Sequence, residues 1–215
     1  MKRVVALAGV ALFALFALAG CSSPTPGNAT PSTSAPADSV PATSVSSDAG
    51  QVPGPGVPKV QNPIDTAQVA KNPCSSLTDD QANGLFGGPL PGDPDLHSPA
   101  GPACNWDGGS AHGYARVGVI VTNVAPQGLT SVYASKGTSY KYFQPLAPVG
   151  GYPAVAYDVS AERSPGECNM AVGISDTQVI DIAVRQQKSR IGSKEPCVSA
   201  QEVAVMVIGN IRGGQ

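Results

Sequence analysis

Residues 63–215 of this chain predict an α+β domain: an antiparallel sheet with helices mainly on one face, two intradomain disulfides, and two halves of similar pattern. Three observations carry that prediction. Val117, Val119 and Val121, and again Ile180, Ile182 and Val184, alternate with the two-residue period of strands that bury one face. Val203, Val207, Ile208 and Ile211, with Ala200 and Ala204, repeat at helical spacing near the end of the chain. Cys74, Cys104, Cys168 and Cys197 all fall within the same stretch of roughly 150 residues, a length that suits one compact domain.

Residues 1–20 read as a signal peptide. Lys2 and Arg3 precede an apolar run from Val4 to Leu18, and the run ends in small residues, as a cleavage site requires. It falls short of the roughly 20 apolar residues of a membrane-spanning helix. Leu18-Ala19-Gly20-Cys21 resembles the lipobox of bacterial lipoproteins. That resemblance implies cleavage before Cys21, a diacylglyceryl group on its thiol and attachment to the extracytoplasmic face of the cell membrane. Stable anchoring takes at least two acyl chains, each buried methylene adding about 0.8 kcal/mol. The alternative is a plain secretory signal in which Cys21 is incidental.

Residues 21–62 follow the lipidated Cys21 with Ser, Thr, Pro, Ala and Gly, no aromatic residue and almost no charge. Such a composition cannot bury enough apolar surface to offset the entropy of ordering, so a disordered stalk is expected, spanning roughly 35 Å as a flexible coil. Removing residues 1–20 takes two of the 13 basic residues, leaving 11 against 15 acidic ones and a formal charge of −4. The basic residues look scattered along the chain, which argues against a nucleic-acid partner.

Within 63–215, Thr78-x-x-Gln81 and Ser199-x-x-Glu202 both match a capping box, each shortly after a Pro-Cys pair, so each cysteine is expected just before a helix. The first helix carries Leu77, Ala82, Leu85 and Phe86 and stops at Gly87-Gly88. Strands follow at Cys104–Trp106, Arg116–Thr122, Val155–Val159, Cys168–Ile174 and Val179–Arg185, the last two forming a hairpin through Asp176-Thr177. A helix is expected over Gly128–Tyr142, weakened by Gly137. An even cysteine count in an exported domain reads as disulfides. Of the three pairings, Cys74 with Cys104 and Cys168 with Cys197 join sequence neighbours and treat the two halves alike. Each closure is worth about 3–4 kcal/mol in the chain-entropy model. A zinc site is disfavoured because no Cys-x-x-Cys spacing occurs.

Pro73-Cys74 with Leu77-Thr78, Cys104-x-Trp106, Gly150-Gly151-Tyr152-Pro153-Ala154, Cys168 and Pro196-Cys197 before a terminal amphipathic helix together resemble a family. It is that of small actinobacterial lipoproteins of the mycobacterial Lpr type, grouped as a domain of unknown function. The resemblance covers about residues 63–212. It implies a lipid-anchored extracytoplasmic head with paired cysteines, and it transfers no catalytic residue.

Chemical motifs are sparse, so no catalytic residue, metal or cofactor is assigned. His97 and His112 are the only histidines, and Gly108-Gly109-Ser110-Ala111-His112 does not follow the Gly-x-Ser-x-Gly elbow of a serine hydrolase. Asp93 and Asp95 provide too few oxygen ligands for a calcium loop and read as a solvated turn. Neither Gly87-Gly88 nor Gly150-Gly151 is followed by the Lys and Ser/Thr of a phosphate loop. Trp106, beside a cysteine, reads as a core residue. It also stands with Tyr133, Tyr140, Tyr142 and Tyr152 as a candidate binding surface, should the uncovered face of the sheet bind a ligand.

Three functions are compatible with this reading. The favoured one is a non-catalytic binding or accessory module that contacts another envelope protein, a wall polymer or a lipid. A carrier of a lipid or other apolar ligand would require an enclosed apolar cavity between sheet and helix. An envelope hydrolase would require polar groups converging on His97 or His112.

Overall fold

The computed structural model describes residues 51–213; Cys21 and residues 1–20, read above as a signal peptide, lie outside the described residues. Seven strands form one sheet. β1 (Asp93–Asp95), β2 (Ala103–Asp107), β3 (Arg116–Val121), β4 (Tyr142–Val149), β5 (Tyr152–Asp158), β6 (Glu167–Ser175) and β7 (Gln178–Arg185) stand in the order β1-β2-β3-β7-β6-β5-β4, every neighbouring pair antiparallel. Among the described residues four α-helices accompany it: α1 (Ala67–Lys71), α2 (Asp79–Phe86), α3 (Leu129–Ala134) and α4 (Pro196–Gly213). The domain is thus α+β.

Strand alternation sorts the sheet into two faces. Cys104, Val119, Ile182, Met170 and Ala156 are successive register partners on one face, all essentially buried. Against that face lie Ala82 and Phe86 of α2 and the Ala200, Val203, Ala204, Val207, Ile208 and Ile211 stripe of α4, forming the main core. The other face has a smaller cluster, in which Leu129 and Val132 of α3 cover Val155, Ala171 and Val179.

The two disulfides fasten helical segments to the core face. Cys74, in a 3₁₀ turn (Pro73–Ser76), bonds Cys104 of β2, and Cys168 of β6 bonds Cys197 of α4. In the first pair the helical segment precedes the strand and in the second it follows. The halves therefore share a kind of staple rather than an element order.

Local signals explain most boundaries. Thr78 and Gln81 form the reciprocal capping box of α2, Gln81 N–H donating to Thr78 Oγ1 at 3.2 Å and Thr78 N–H to Gln81 Oε1 at 2.9 Å. The second box does not form. α4 starts a turn earlier at Pro196, whose φ suits a first helical position, and Glu195 accepts from Val198 N–H at 3.1 Å. Cys197 consequently sits inside the first turn of α4 rather than before it. Ser199 and Glu202 bind other groups, Gln186 Nε2 and Lys194 Nζ.

Two further expectations are corrected. The helix expected over 128–142 is only α3, because Gly137 takes φ 75° and turns the chain into β4. β4 itself carries Pro145 and Pro148, which a central strand would not tolerate; it is an edge strand, so the missing N–H groups cost no ladder bond. Asp93 and Asp95 lie in β1, the opposite edge and only three residues long, with Asp95 Oδ1 accepting from His97 N–H at 2.9 Å.

The packed chain also begins before residue 63. Val60 is 4% exposed, its N–H donates to Asp176 Oδ1 at 2.9 Å, and Gly54 N–H donates to Thr130 Oγ1 at 3.0 Å. Tyr152 donates its hydroxyl to Asn62 O at 2.8 Å. Composition assigns this segment to the stalk because few of its own residues are apolar; Val57 and Val60 suffice, since the domain supplies their partners.

Candidate functional site

Arg116 opens β3 and Arg185 closes β7, and antiparallel pairing makes them register partners at one end of the sheet. Two concavities meet at this pair. The first is a cleft of about 210 Å³ between the C-terminal half of α2, the ends of β3 and β7, and the first turns of α4. Its floor is apolar, from Phe86, Val117 and Val203, and Arg190, Lys194 and Glu202 line it with charge; Arg116 and Arg185 border both concavities, with their guanidinium groups on the trough side against Asn105 and Glu167. The second is a trough of about 250 Å³ on the uncovered face. Asn105, Gly118, Ala183 and Asn169 cross it as one row of register partners, the two small residues forming a bare floor.

Two of the four cations are neutralised. Arg185 Nε lies 2.6 Å from Glu167 Oε1, and Lys194 Nζ 2.8 Å from Glu202 Oε1. Arg116 reaches only the neutral amide oxygen of Asn105, at 3.3 Å, and neither it nor Arg190 takes part in any of the ion pairs among the described residues. Nearby, Lys188 Nζ rests 4.1 Å from the centre of the Tyr114 ring. This end of the sheet is therefore electropositive in a chain of formal charge −2.

This grouping corrects the reading of the basic residues as scattered. Arg185, Lys188, Arg190 and Lys194 fall within ten residues of sequence, a signal legible without the fold. Arg116 joins them only through the pairing of β3 with β7.

The five aromatic candidates do not form one surface. Trp106 is 2% exposed and packs in the main core beside the Cys74–Cys104 bond; a Cβ at Gly92 would stand 2.9 Å from its ring and 2.5 Å from Cys104 Sγ. Tyr152 is buried in the same core. Tyr133 and Tyr140 lie on the opposite face, Tyr133 edge-on to Phe143 at 5.0 Å and Tyr140 tilted over Tyr157 at 4.4 Å. Tyr142 packs against the main core, with the Arg163 guanidinium 4.9 Å from its ring and its hydroxyl donated to Gln144. A bend at Lys141 separates Tyr140 from Tyr142, and the two rings pack in different clusters. Sequence proximity conceals that separation.

Asp181 lies beside the trough, as the register partner of Ile120. Tyr157 donates to its Oδ1 at 2.9 Å. Burial raises the Asp181 carboxyl to about 6, against the opposing hydrogen bonds from Tyr157 and Thr122. Burial likewise pushes the Tyr157 phenol well above its ordinary value, with the nearby Asp181 charge adding to the effect.

Neither histidine lines the cleft. His97 occupies the exposed turn after β1. His112 Nδ1 is 3.0 Å from Phe86 O, and a carbonyl can only accept, so Nδ1 carries the proton and ties this loop to the end of α2. Among the described residues no group of three or more His, Cys, Asp or Glu side chains could hold a metal ion. No helix among them is long and apolar enough to cross a membrane.

No curated protein and no solved structure matches the chain. One family model does, over residues 16–210, which takes in Cys21 and the segment before the domain as well as the head. The chain therefore belongs to the family described as "Protein of unknown function (DUF3558)".

Proposed function

We propose that the protein is a lipid-anchored, non-catalytic binding module of the cell envelope, of the actinobacterial lipoprotein type that its motifs resemble, with the cationic cleft as its contact site. Support for the anchor comes from Leu18-Ala19-Gly20-Cys21 after an apolar run. The observation that carries the binding reading is the cleft itself: Arg190 lines an apolar-floored concavity and takes part in none of the ion pairs among the described residues.

The placement of the cleft also favours this reading. The chain that leads from Cys21 joins the sheet at the β6–β7 turn, where Val60 N–H meets Asp176 and Ile64 N–H donates to Ile174 O at 3.0 Å. The cleft lies at the far end of β7, about 25 Å away for a strand of this length.

The apolar-carrier alternative asks for space between sheet and helix that Met170, Ile182, Val203 and Val207 fill, each at most 1% exposed. The hydrolase alternative asks for a free histidine at a pocket, and His112 is committed to Phe86 O.

A two-part experiment in cells of the native type tests the proposal. Membrane fractionation is expected to find the wild type acylated and the Cys21→Ala variant released or unprocessed; an acylated, membrane-bound Cys21→Ala protein would contradict the anchor. A photo-crosslinker at Ser193, on the cleft rim, is expected to give a discrete adduct that the same probe at Thr177 does not. Equal labelling from both positions, or none from Ser193, would remove the cleft as contact site.

A further inference from the structure

The trough on the uncovered sheet face sets two like charges opposite one another. Arg116 and Arg185 are direct register partners, an arrangement that costs stability on a sheet surface. They lean to opposite walls: Arg116 Nη2 donates to Asn105 Oδ1 of β2 at 3.3 Å, and Arg185 Nε to Glu167 Oε1 of β6 at 2.6 Å. Asp107, the other register partner of Arg116, accepts instead from Gly109 N–H at 3.1 Å. Arg116 therefore takes part in no ion pair among the described residues.

The two walls also hold one unused donor and one unused acceptor. A guanidinium only donates, so the Asn105 atom that meets Arg116 is oxygen and its Nδ2 is left over. A carboxylate only accepts, so Asn169 meets Asp158 Oδ2 at 3.3 Å through Nδ2, and its Oδ1 is left over. Neither atom has a hydrogen bond among the described residues. Asn105 and Asn169 stand in one row with β3 and β7 between them, so at ~4.8 Å per strand their Cα atoms are about 14 Å apart. Only Gly118 and Ala183 occupy the row between them, which leaves width for one extended chain. A trans peptide group points its C=O and its N–H to opposite sides, and so matches a donor on one wall and an acceptor on the other. The volume of about 250 Å³ lies below the roughly 300–1,000 Å³ of drug-sized ligand sites and limits the occupant to small side chains.

We propose that the trough binds the C-terminal end of a peptide with small last side chains, its carboxylate between Arg116 and Arg185 and its last peptide group between Asn105 Nδ2 and Asn169 Oδ1. A carboxylate there turns the opposition of like charges into two charge-assisted contacts. Glu167 engages Arg185 through Nε, which leaves the terminal N–H groups of that guanidinium for the ligand. A single carboxylate suits the site better than a phosphate, since Glu167 on the same wall repels a second negative charge. The trough and the cleft lie on opposite faces of the sheet, so this second site does not rest on the cleft.

The test is a calorimetric titration of the full-length protein in zwitterionic nanodiscs. Its probes are N-acetyl-Ala-Ala, the C-terminal amide of the same peptide, and acetate. N-acetyl-Ala-Ala is expected to bind about tenfold tighter than its amide and about fivefold tighter than acetate. Arg116→Gln, at an exposed position, is expected to erase the preference over the amide, and Asn169→Ala the preference over acetate. Ala183→Leu, which fills the floor and leaves both arginines in place, is expected to abolish binding. Lys71→Gln removes the same charge from an exposed position of α1 and is expected to change nothing. Asn169→Ala also loses the contact with Asp158, so Arg116→Gln and Ala183→Leu decide the matter if that variant does not fold. An amide that binds as well as the acid, acetate matching the peptide, or no binding at millimolar concentration would each overturn the proposal. So would an unaltered Arg116→Gln or Ala183→Leu, or an equal loss in Lys71→Gln. The crosslink from Ser193 reads the other face of the sheet, so its persistence alongside a failed titration would refute the trough site and leave the cleft standing.

Discussion

Tyr157 of β5 reaches across β6 to donate its hydroxyl to Asp181 of β7 at 2.9 Å, and Tyr140 lies over the Tyr157 ring. A carboxyl thus sits on a sheet face beneath aromatic cover, and desolvation raises it from the ordinary 3.8 to about 6. The folded state therefore binds this proton more tightly than the unfolded chain does. Its contribution to stability is full below pH 3.8 and is lost as pH rises through about 6.

Asp181→Asn keeps an acceptor for Tyr157 without the charge. Chemical denaturation is expected to show this variant more stable than wild type at pH 7, by up to about 3 kcal/mol, with the difference closing toward pH 4. A variant equally destabilised at both pH values would show that the carboxylate is needed for its hydrogen bonds rather than costly for its burial.

Gly92 passes over the Cys74–Cys104 bond, where a Cβ would stand 2.5 Å from Cys104 Sγ and 3.0 Å from Cys74 Sγ. Neither sulfur can yield, because both are held by the disulfide and by Trp106 beneath. Gly92→Ala is expected to cost about 1–3 kcal/mol through overpacking. A melting temperature equal to wild type would mean that the loop before β1 shifts freely.

Cys168 and Cys197 are 29 residues apart and Cys74 and Cys104 are 30 apart, so the entropic value of each closure is similar, about 3–4 kcal/mol. Mass spectrometry of an unreduced digest is expected to return these two pairs. Cys168→Ala with Cys197→Ala should lower stability by about that amount; a crossed pairing in the digest would refute the register of α4 on β6.

Tyr152 donates to Asn62 O at 2.8 Å, joining the β4–β5 turn to the chain that enters the domain. Tyr152→Phe is expected to cost about 1 kcal/mol and to hasten proteolysis between residues 51 and 62. Unchanged cleavage there would mean that Val60 alone holds the segment in place.

Period and punctuation make much of the fold legible in the sequence. β2, β3, β6 and β7 follow from strict alternation, α2 from Thr78, Gln81 and Gly87, and the burial of α4 from its Val/Ile/Ala stripe, since each is decided by residues close in sequence. The same reasoning sets Trp106 against its disulfide. It misses β4, because Pro145 and Pro148 are admissible only at an edge, and edge position is a property of the whole sheet. It also sets the second cap at Ser199, although Glu195 and Pro196 start the helix earlier.

The cysteine framework and the α+β class are properties of the sequence by itself, because they rest on local spacing and composition. The cleft is a property of the tertiary structure alone. Arg116 lies 69 residues before Arg185, and only antiparallel pairing of β3 with β7 sets them side by side. Gln186 gains its burial, and its unmet acceptor, only when α4 docks over the end of β7. Electrostatic grouping and hydrogen-bond satisfaction depend on distances through space, which a single sequence does not encode locally.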